Sequence, residues 1–377
     1  MLEDERLAWA VLVRAPGLTA AGLAAALDRG ADIRDLLGSS AADRDLGLPA
    51  VTRSFLASAD AVPRAEEQRW LAAERHHLIP CTDNRYPRLL RSLPDCPLAL
   101  YVSGNVDALA DPQLAIVGSR NPTAQGRETA RAFAEHLAQR GLGITSGMAE
   151  GIDACAHRGA LNAQGVTLAV LGSGIDVIYP RCNAPLCAEI ERDGALISEF
   201  PPRTPPLRGN FPQRNRVIAA LSLGTLVVEA ARRSGSLITA RFANQFGRDV
   251  FAIPGSIHNP LSRGCHELIK SGAKLTETAD DILSELNFSA FFANDLRPAE
   301  AVMSASRHAS GMDKEHKILL DALGFDPVDL DVLVVRTGFK PEAVSSMMLI
   351  LELEGHVQAA PGGRYSRVAY RRAGGER

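Results

Sequence analysis

A chain of 377 residues, 46% hydrophobic and 23% charged, is long enough for two or three domains around at least one large core. Its 41 basic and 44 acidic residues sum to −3, a total that leaves local charge, and with it the choice of partners, open. The sequence lacks a secretory apolar segment and any apolar run near 18 residues, and its six cysteines form no C-x-x-C pair, so the expectation is a reduced, cytoplasmic protein with no membrane segment and no zinc site.

In chain order, "DERLAWAVLVRA" has helical apolar spacing, and "PGLTAAGLAAAL" reads as a turn, a Thr19 N-cap and a second helix. "DIRDLLG" and "LPAVTRSFL" continue the helical pattern, giving an N-terminal helical unit similar to sterile-alpha-motif or helix-hairpin-helix modules over residues 1–65. Residues 77–112 are short, extended and proline-bounded, as in the lead-in to a sheet.

From 113 to 286 apolar runs alternate with amphipathic helices. "LAIVG", "GITSG", "VTLAVLG", "ALISEF", "GTLVVEA" and "DVFAIPG" are continuously apolar, as strands covered on both faces must be. The helix from "GRETARAFAEHLAQRG" closes at Gly141. The alternation predicts an α/β domain over 66–287, with a doubly wound, mostly parallel sheet. Residues 288–312 read as a linker. Over 313–377, "HKILLDALG", "DLDVLVVRTG" and "PEAVSSMMLILELEG" are helix candidates, and "HVQAAPGGRYSRV" two strands around a turn, which is winged-helix order.

In an open parallel sheet ligands bind beyond the C-terminal strand ends. Four glycine-rich turns fall there: "VGSRNPTAQG", "TSGMAEGID", "LGSGIDVIYP" and "RRSGSLITA". Several such turns on one edge suggest a rim whose backbone N–H groups receive phosphate. None completes a dinucleotide fingerprint or a P-loop, so no ATP or NAD cofactor is expected. Residues 203–248 hold eight arginines (203, 208, 214, 216, 232, 233, 241, 248) against one acid, Glu229, a local charge of about +7. Arg120, just past the first strand of the alternation, either meets a phosphate or pairs with an acid. Phe211 is either core or a base-stacking ring set among cations, the combination that holds single strands. Arg216 either joins that patch or pairs with Glu229. Asp153 and His157 stand four apart, a helix-stabilising pair or a functional one. Ser234 and Ser236 have no evident His base, and no catalytic residue is assigned; the chain is not expected to be an enzyme.

"AIVGSRNPTAQG", "TSGMAEGIDACAHRGAL", "LGSGIDVIYP", "FPQRNRVIAALS", "EAARRSGSLITARFANQFGRDVFAIPGS" and "GCHELIKSGAKL" together resemble the central domain of the DNA-processing protein A (DprA, or Smf) family, over 80–286. The flanking segments fit that family's three-part layout. The resemblance implies an extended Rossmann-like domain that binds single-stranded DNA, loads the RecA recombinase onto it during natural transformation, and forms a homodimer. It places the DNA pocket on Gly118, Ser119 and Arg120, and by position on Arg181, Arg208, Asn210, Phe211, Arg214, Asn215 and Arg216. At 181 and 208 relatives often carry Lys, which changes the contact geometry. Binding by charge and stacking should be salt-sensitive and tolerant of sequence.

Two other readings compete. "LGTLVVEAARRSGS" loosely resembles the loop of nucleotide phosphoribohydrolases, with Gly224, Thr225 and Glu229 in place but the leading Pro-Gly-Gly missing. A sequence-specific winged-helix regulator is the other. Its candidate recognition helix, "PEAVSSMMLILELEG", carries no Lys or Arg, which favours protein contact over major-groove readout.

Overall fold

The computed structural model describes residues 3–34, 36–37, 46–286, 319–320, 323, 327–353, 355–360 and 363–368. The chain divides into two compact units, Met1–Asp295 and Leu296–Arg377.

The first unit begins with helices α1 (Glu3–Val13), α2 (Ala20–Asp28), α3 (Ala50–Leu56) and α4 (Ala65–Leu71). Thr19 caps α2 as its position suggests, its side chain accepting from the Gly22 N–H. The helical pattern in "DIRDLLG" is not realised over 32–34 and 36–37, which form turns, and α4 had no counterpart in the sequence reading. Trp9, Leu12, Leu23 and Leu56 from these helices share one core with Leu78, Tyr101 and Ala169 of the sheet that follows. The helices therefore close one face of the sheet.

That sheet has nine strands: β1 (His76–Pro80), β2 (Ala99–Gly104), β3 (Gln113–Val117), β4 (Gly143–Ser146), β5 (Thr167–Val170), β6 (Ala195–Ser198), β7 (Gly224–Val227), β8 (Asp249–Ala252) and β9 (Lys274–Leu275). Their spatial order is β1-β2-β6-β5-β4-β3-β7-β8-β9. Every pairing from β6 to β9 is parallel; β2 alone runs against both its neighbours, β1 and β6. The mostly parallel, doubly wound sheet expected from the alternation is what forms. Strands β2 to β7 are buried at every position, so neither face reaches water there.

The connecting helices are α5 (Arg88–Arg91), α6 (Ala124–Gln139), α7 (Ile152–Asn162), α8 (Ala184–Asp193), α9 (Asn210–Leu221), α10 (Ser236–Gln245), α11 (Arg263–Lys270) and α12 (Ala279–Glu285). Leu114 and Ile116 of β3 pack with α6 and α7 on one face, whereas Ala115 and Val117 pack with α9 and α10 on the other. This period-2 split within one strand is what makes the unit three-layered. Gly141 ends α6 as expected, in left-handed conformation at φ 86°. The chain leaves β3 for β4 on one side and returns to place β7 on the other, so the strand order reverses between β3 and β7. Crevices for ligands open at such a reversal.

The second unit holds β10 (Val328–Asp329), helices α13 (Leu330–Thr337) and α14 (Pro341–Leu353), and strands β11 (Val357–Ala360) and β12 (Arg364–Arg367). Its sheet order is β10-β12-β11, all antiparallel. Helix, helix and hairpin are the winged-helix elements expected, with β10 as an added strand. Leu333, Val344, Met347, Met348 and Leu351 close its core with Leu319, Leu320 and Leu323. The linker expected over 288–312 lies outside the described residues, as does most of the helix expected in "HKILLDALG". Among the described residues no helix is long and apolar enough to cross a membrane.

Candidate nucleic-acid interface

Beyond the C-terminal ends of β3, β4 and β7 lies a cavity of about 310 Å³, lined by Gly118, Arg120, Asp153, Phe211, Arg214 and the turn into α10, among others. A smaller hollow of about 100 Å³ shares Arg120, Ala149, Phe211 and Arg214 with it and adds Tyr179 and Pro180. Phe211 is thus common to both.

The turn after β3 is set by hydrogen bonds across the strand-order reversal. Ser119 N donates to the Glu229 carbonyl at 2.7 Å, and the Ser119 carbonyl accepts from Ile152 N at 3.1 Å. The Glu229 carboxylate accepts from Thr123 N at 2.9 Å and Thr123 Oγ1 at 2.6 Å. Thr123 in turn caps α6. Glu229 is therefore occupied in bracing this turn, and Arg120 projects from it, exposed.

The glycine-rich turns differ from expectation in what their backbone does. Gly147 N and Ala149 N donate to Asp153 Oδ2 at 3.1 and 3.3 Å. Gly174 N donates to the Thr204 carbonyl, and Ser236 N to Ser234 Oγ. These four amides are already satisfied within the fold. The glycines serve packing instead. A Cβ on Gly147 would stand 2.5 Å from the Arg214 guanidinium, and one on Gly172 would stand 2.9 Å from the Phe211 ring. They make room for the arginine and the ring.

Arg214 fills the space so cleared. It is 5% exposed and donates to the carbonyls of Gly147 and of Val170, the latter at 2.6 Å, and to Asn215 Oδ1 at 3.1 Å. Burial pushes its pKa down to about 10; neighbouring Asp153 opposes that shift and Arg120 adds to it. Burial likewise raises the Asp153 carboxyl, against the pull of Arg214 and the two amides. The Arg120 guanidinium carbon stands 5.7 Å from the Phe211 ring centroid and that of Arg214 6.0 Å. Tyr179, 46% exposed, sets its ring 5.7 Å from the same ring. Two aromatic rings and two cations thus converge on one spot.

The expected site residues divide accordingly. Gly118, Arg120, Phe211, Arg214 and Asn215 line the larger cavity, and Ser119 holds the turn beside it. Asn210 donates from Nδ2 to the Pro205 carbonyl at 3.3 Å, and Arg208 and Arg181 are exposed; none of the three lines either cavity. Arg216 is turned away. Its Nη2 lies 2.6 Å from Glu199 Oε2 and its Nη1 donates to the Asp95 carbonyl at 2.8 Å. Its acid is therefore Glu199 and not Glu229. Asp153 and His157 are not a pair either: His157 Nδ1 bonds Thr167 Oγ1 at 2.7 Å, and its Nε2 is buried without a partner. The run from Asn210 belongs to helix α9 itself, so Phe211, Arg214 and Asn215 ride on its first turns.

Sequence reasoning missed Tyr179, Asp153 as the neighbour of Arg214, and Thr239, Ser234 and Ser236 as lining. Asp153 had one signal, an acid directly after a glycine turn; Thr239 had only its place in the glycine-rich turn "RRSGSLITA", because helix position alone does not say what a threonine faces. Among the described residues no cluster of His, Cys, Asp or Glu suits a metal ion.

A family model described as DNA recombination-mediator protein A matches residues 77–287, and one described as DprA winged helix domain matches residues 303–363. Protein Smf of Escherichia coli (strain K12) is 46% identical over 295 residues, 78% of each chain. The X-ray structure of DNA processing protein A from Streptococcus pneumoniae shows 40% identity and a TM-score of 0.62, over 72% of this chain and 95% of that one. A structure of the Helicobacter pylori protein, concerned with its single-stranded DNA binding mode, shows 30% identity and a TM-score of 0.52, over 57% of this chain and 97% of that one.

Proposed function

This chain belongs to the DNA recombination-mediator protein A family, and from that premise we propose that it binds single-stranded DNA across the β3–β7 crevice and passes it to the RecA recombinase during natural transformation. The observation that carries the reading is Phe211 held between the Arg120 and Arg214 guanidinium groups at the rim of a cavity. A duplex keeps its bases stacked inward; a single strand offers them to an aromatic ring while its phosphates meet cations.

Each group has a role in that reading. Arg120, exposed and pre-set by the Ser119–Glu229 bond, takes a phosphate bidentately. Phe211 and Tyr179 stack on bases. Arg214 is already bound to two carbonyls, so it supplies positive potential and holds Phe211 in place, with Asn215 fixing its fork. Arg181 and Arg208, on exposed chain flanking the crevice, take further phosphates, with Asn210 shaping that segment. Arg216 anchors α9 through Glu199. The bound form acts as a homodimer in the cytoplasm, with no cofactor.

The handover is tested by the lag before RecA filaments grow on long single-stranded DNA. Wild-type protein should shorten the lag, and Arg120→Ala should return it to that of RecA alone. A lag unchanged by the wild-type protein would count against the RecA step while leaving DNA binding itself to be measured separately.

A further inference from the structure

Helix α14 of the second unit is apolar on two opposite faces. Val344, Met347, Met348 and Leu351 belong to the core. Leu349, Ile350 and Leu353, on the other side, are exposed, Leu353 at 80%. On α13, Val332 and Val335 are exposed as well. Eleven large apolar side chains are exposed among the described residues, and five of them fall on these two helices. Apolar residues scattered singly over a surface are ordinary, but a cluster marks a contact. A helix that is apolar all round is ordinarily buried all round. Along α14 the exposed residues Glu342, Ser346, Leu349, Ile350 and Leu353 recur every three or four positions, so they form one stripe. From Glu342 to Leu353 it runs about 16 Å, three helical turns.

Charge decides what covers it. Helix α14 carries Glu342 and Glu352 and no base, with Lys340 just before it. In winged-helix DNA readers the outward face of this helix enters the major groove. Here that face offers aliphatic chains between two carboxylates, which DNA phosphates and anionic lipid headgroups both repel. A second copy of α14 fits no better. Laid antiparallel, the Glu342 end of one helix meets the Glu352 end of the other; laid parallel, each acid meets itself. An amphipathic helix with aliphatic side chains on one face and Lys or Arg at its borders escapes that repulsion. It buries the stripe and pairs both acids.

We propose that the outer face of α14, Leu349, Ile350 and Leu353 between Glu342 and Glu352, docks a basic amphipathic helix of a partner protein. The winged helix is then a protein-docking module on a chain whose crevice belongs to the first unit.

The test uses the full chain and two labelled peptides, one of leucine and lysine, one of leucine and glutamate, each with its leucines on one helical face. Fluorescence anisotropy should show the lysine peptide binding more tightly. Leu349→Ser and Leu353→Ser, with circular dichroism unchanged, should each weaken that binding about tenfold, the worth of one buried leucine. Glu342→Lys combined with Glu352→Lys leaves every core side chain in place and should reverse the preference, toward the glutamate peptide. This charge reversal decides the matter if a serine variant fails to fold. Equal binding of the two peptides by wild type, or a preference that the double lysine variant leaves unchanged, overturns the docking site. So does self-association of the chain that Leu353→Ser abolishes, which would assign the face to a second copy.

Discussion

Phe211 has no apolar niche of its own; its ring is held by two guanidinium carbons at 5.7 and 6.0 Å, by Tyr179, and by the space Gly172 leaves open. A ring so placed is costly to hide and available to stack. Phe211→Ala should weaken oligo-dT binding by about 1–3 kcal/mol, the worth of one base on an aromatic face. Phe211→Trp should retain most of the affinity. Gly172→Ala is expected to mimic Phe211→Ala, because the added methyl meets the ring at 2.9 Å. Equal affinity in wild type and Phe211→Ala, measured by titration at fixed salt, would show that the ring takes no part. The sequence placed Phe211 among arginines, and that much was legible. It left the individual arginines undistinguished. Arg214 and Arg216 are two residues apart, yet about 200° apart around a helix. One points into the cavity and the other toward Glu199, and only the position of the neighbouring elements separates them.

At the level of elements, helix α7 bridges the site and the core. Asp153 on its first turn ties down the loop from Gly147 to Ala149, and His157 one turn on is wholly buried. The Thr167 hydroxyl donates to the Ile144 carbonyl, so it accepts from His157 Nδ1–H, leaving Nε2 unprotonated. Burial, with Arg214 nearby, pushes the His157 pKa down to about 3 from an ordinary 6.5. The unfolded chain therefore binds a proton below about pH 6.5 that the folded chain refuses until about pH 3, and this group's contribution to stability falls as pH falls through that window. By pH 5 the loss is about 2 kcal/mol. Glu199, which burial pushes up to about 7, works in the opposite direction over the same range. The clean readout is thus the difference between wild type and His157→Gln in urea denaturation at pH 7.5 and pH 5. Wild type should lose about 2 kcal/mol relative to the variant; a pH-independent difference would contradict a neutral buried imidazole. Element identity was readable along this stretch because strand and helix periods alternate cleanly. Partner choice was not: Asp153 and His157 at a spacing of four suggest a pair, and tertiary neighbours claimed each separately. The start of helix α9 was not legible for a related reason: its first turns are polar because they face an open crevice.

Across the whole chain, a net charge of −3 coexists with eight arginines between 203 and 248. Two of these, Arg214 and Arg216, are committed inside the first unit, so the stretch offers less free charge than its composition suggests. The second unit was legible in outline from helix order and the turn between its strands. Helix α14 carries Glu342 and Glu352 and no base, so this helix is poorly suited to phosphate contact. Single-strand affinity is then expected to reside in the first unit, through Arg120 and the exposed Arg181 and Arg208. For single strands each neutralised phosphate adds about 0.7 to the slope of log affinity against log salt. The most direct measurement is fluorescence anisotropy of labelled oligo-dT and its matching duplex across a salt series, for wild type and Arg120→Ala. Tighter binding of the single strand, a slope near 2 in magnitude, and a loss of about 0.7 from that slope in the variant are expected. Preference for the duplex, or an affinity and slope that Arg120→Ala leaves unchanged, would contradict a DNA site at the β3–β7 crevice.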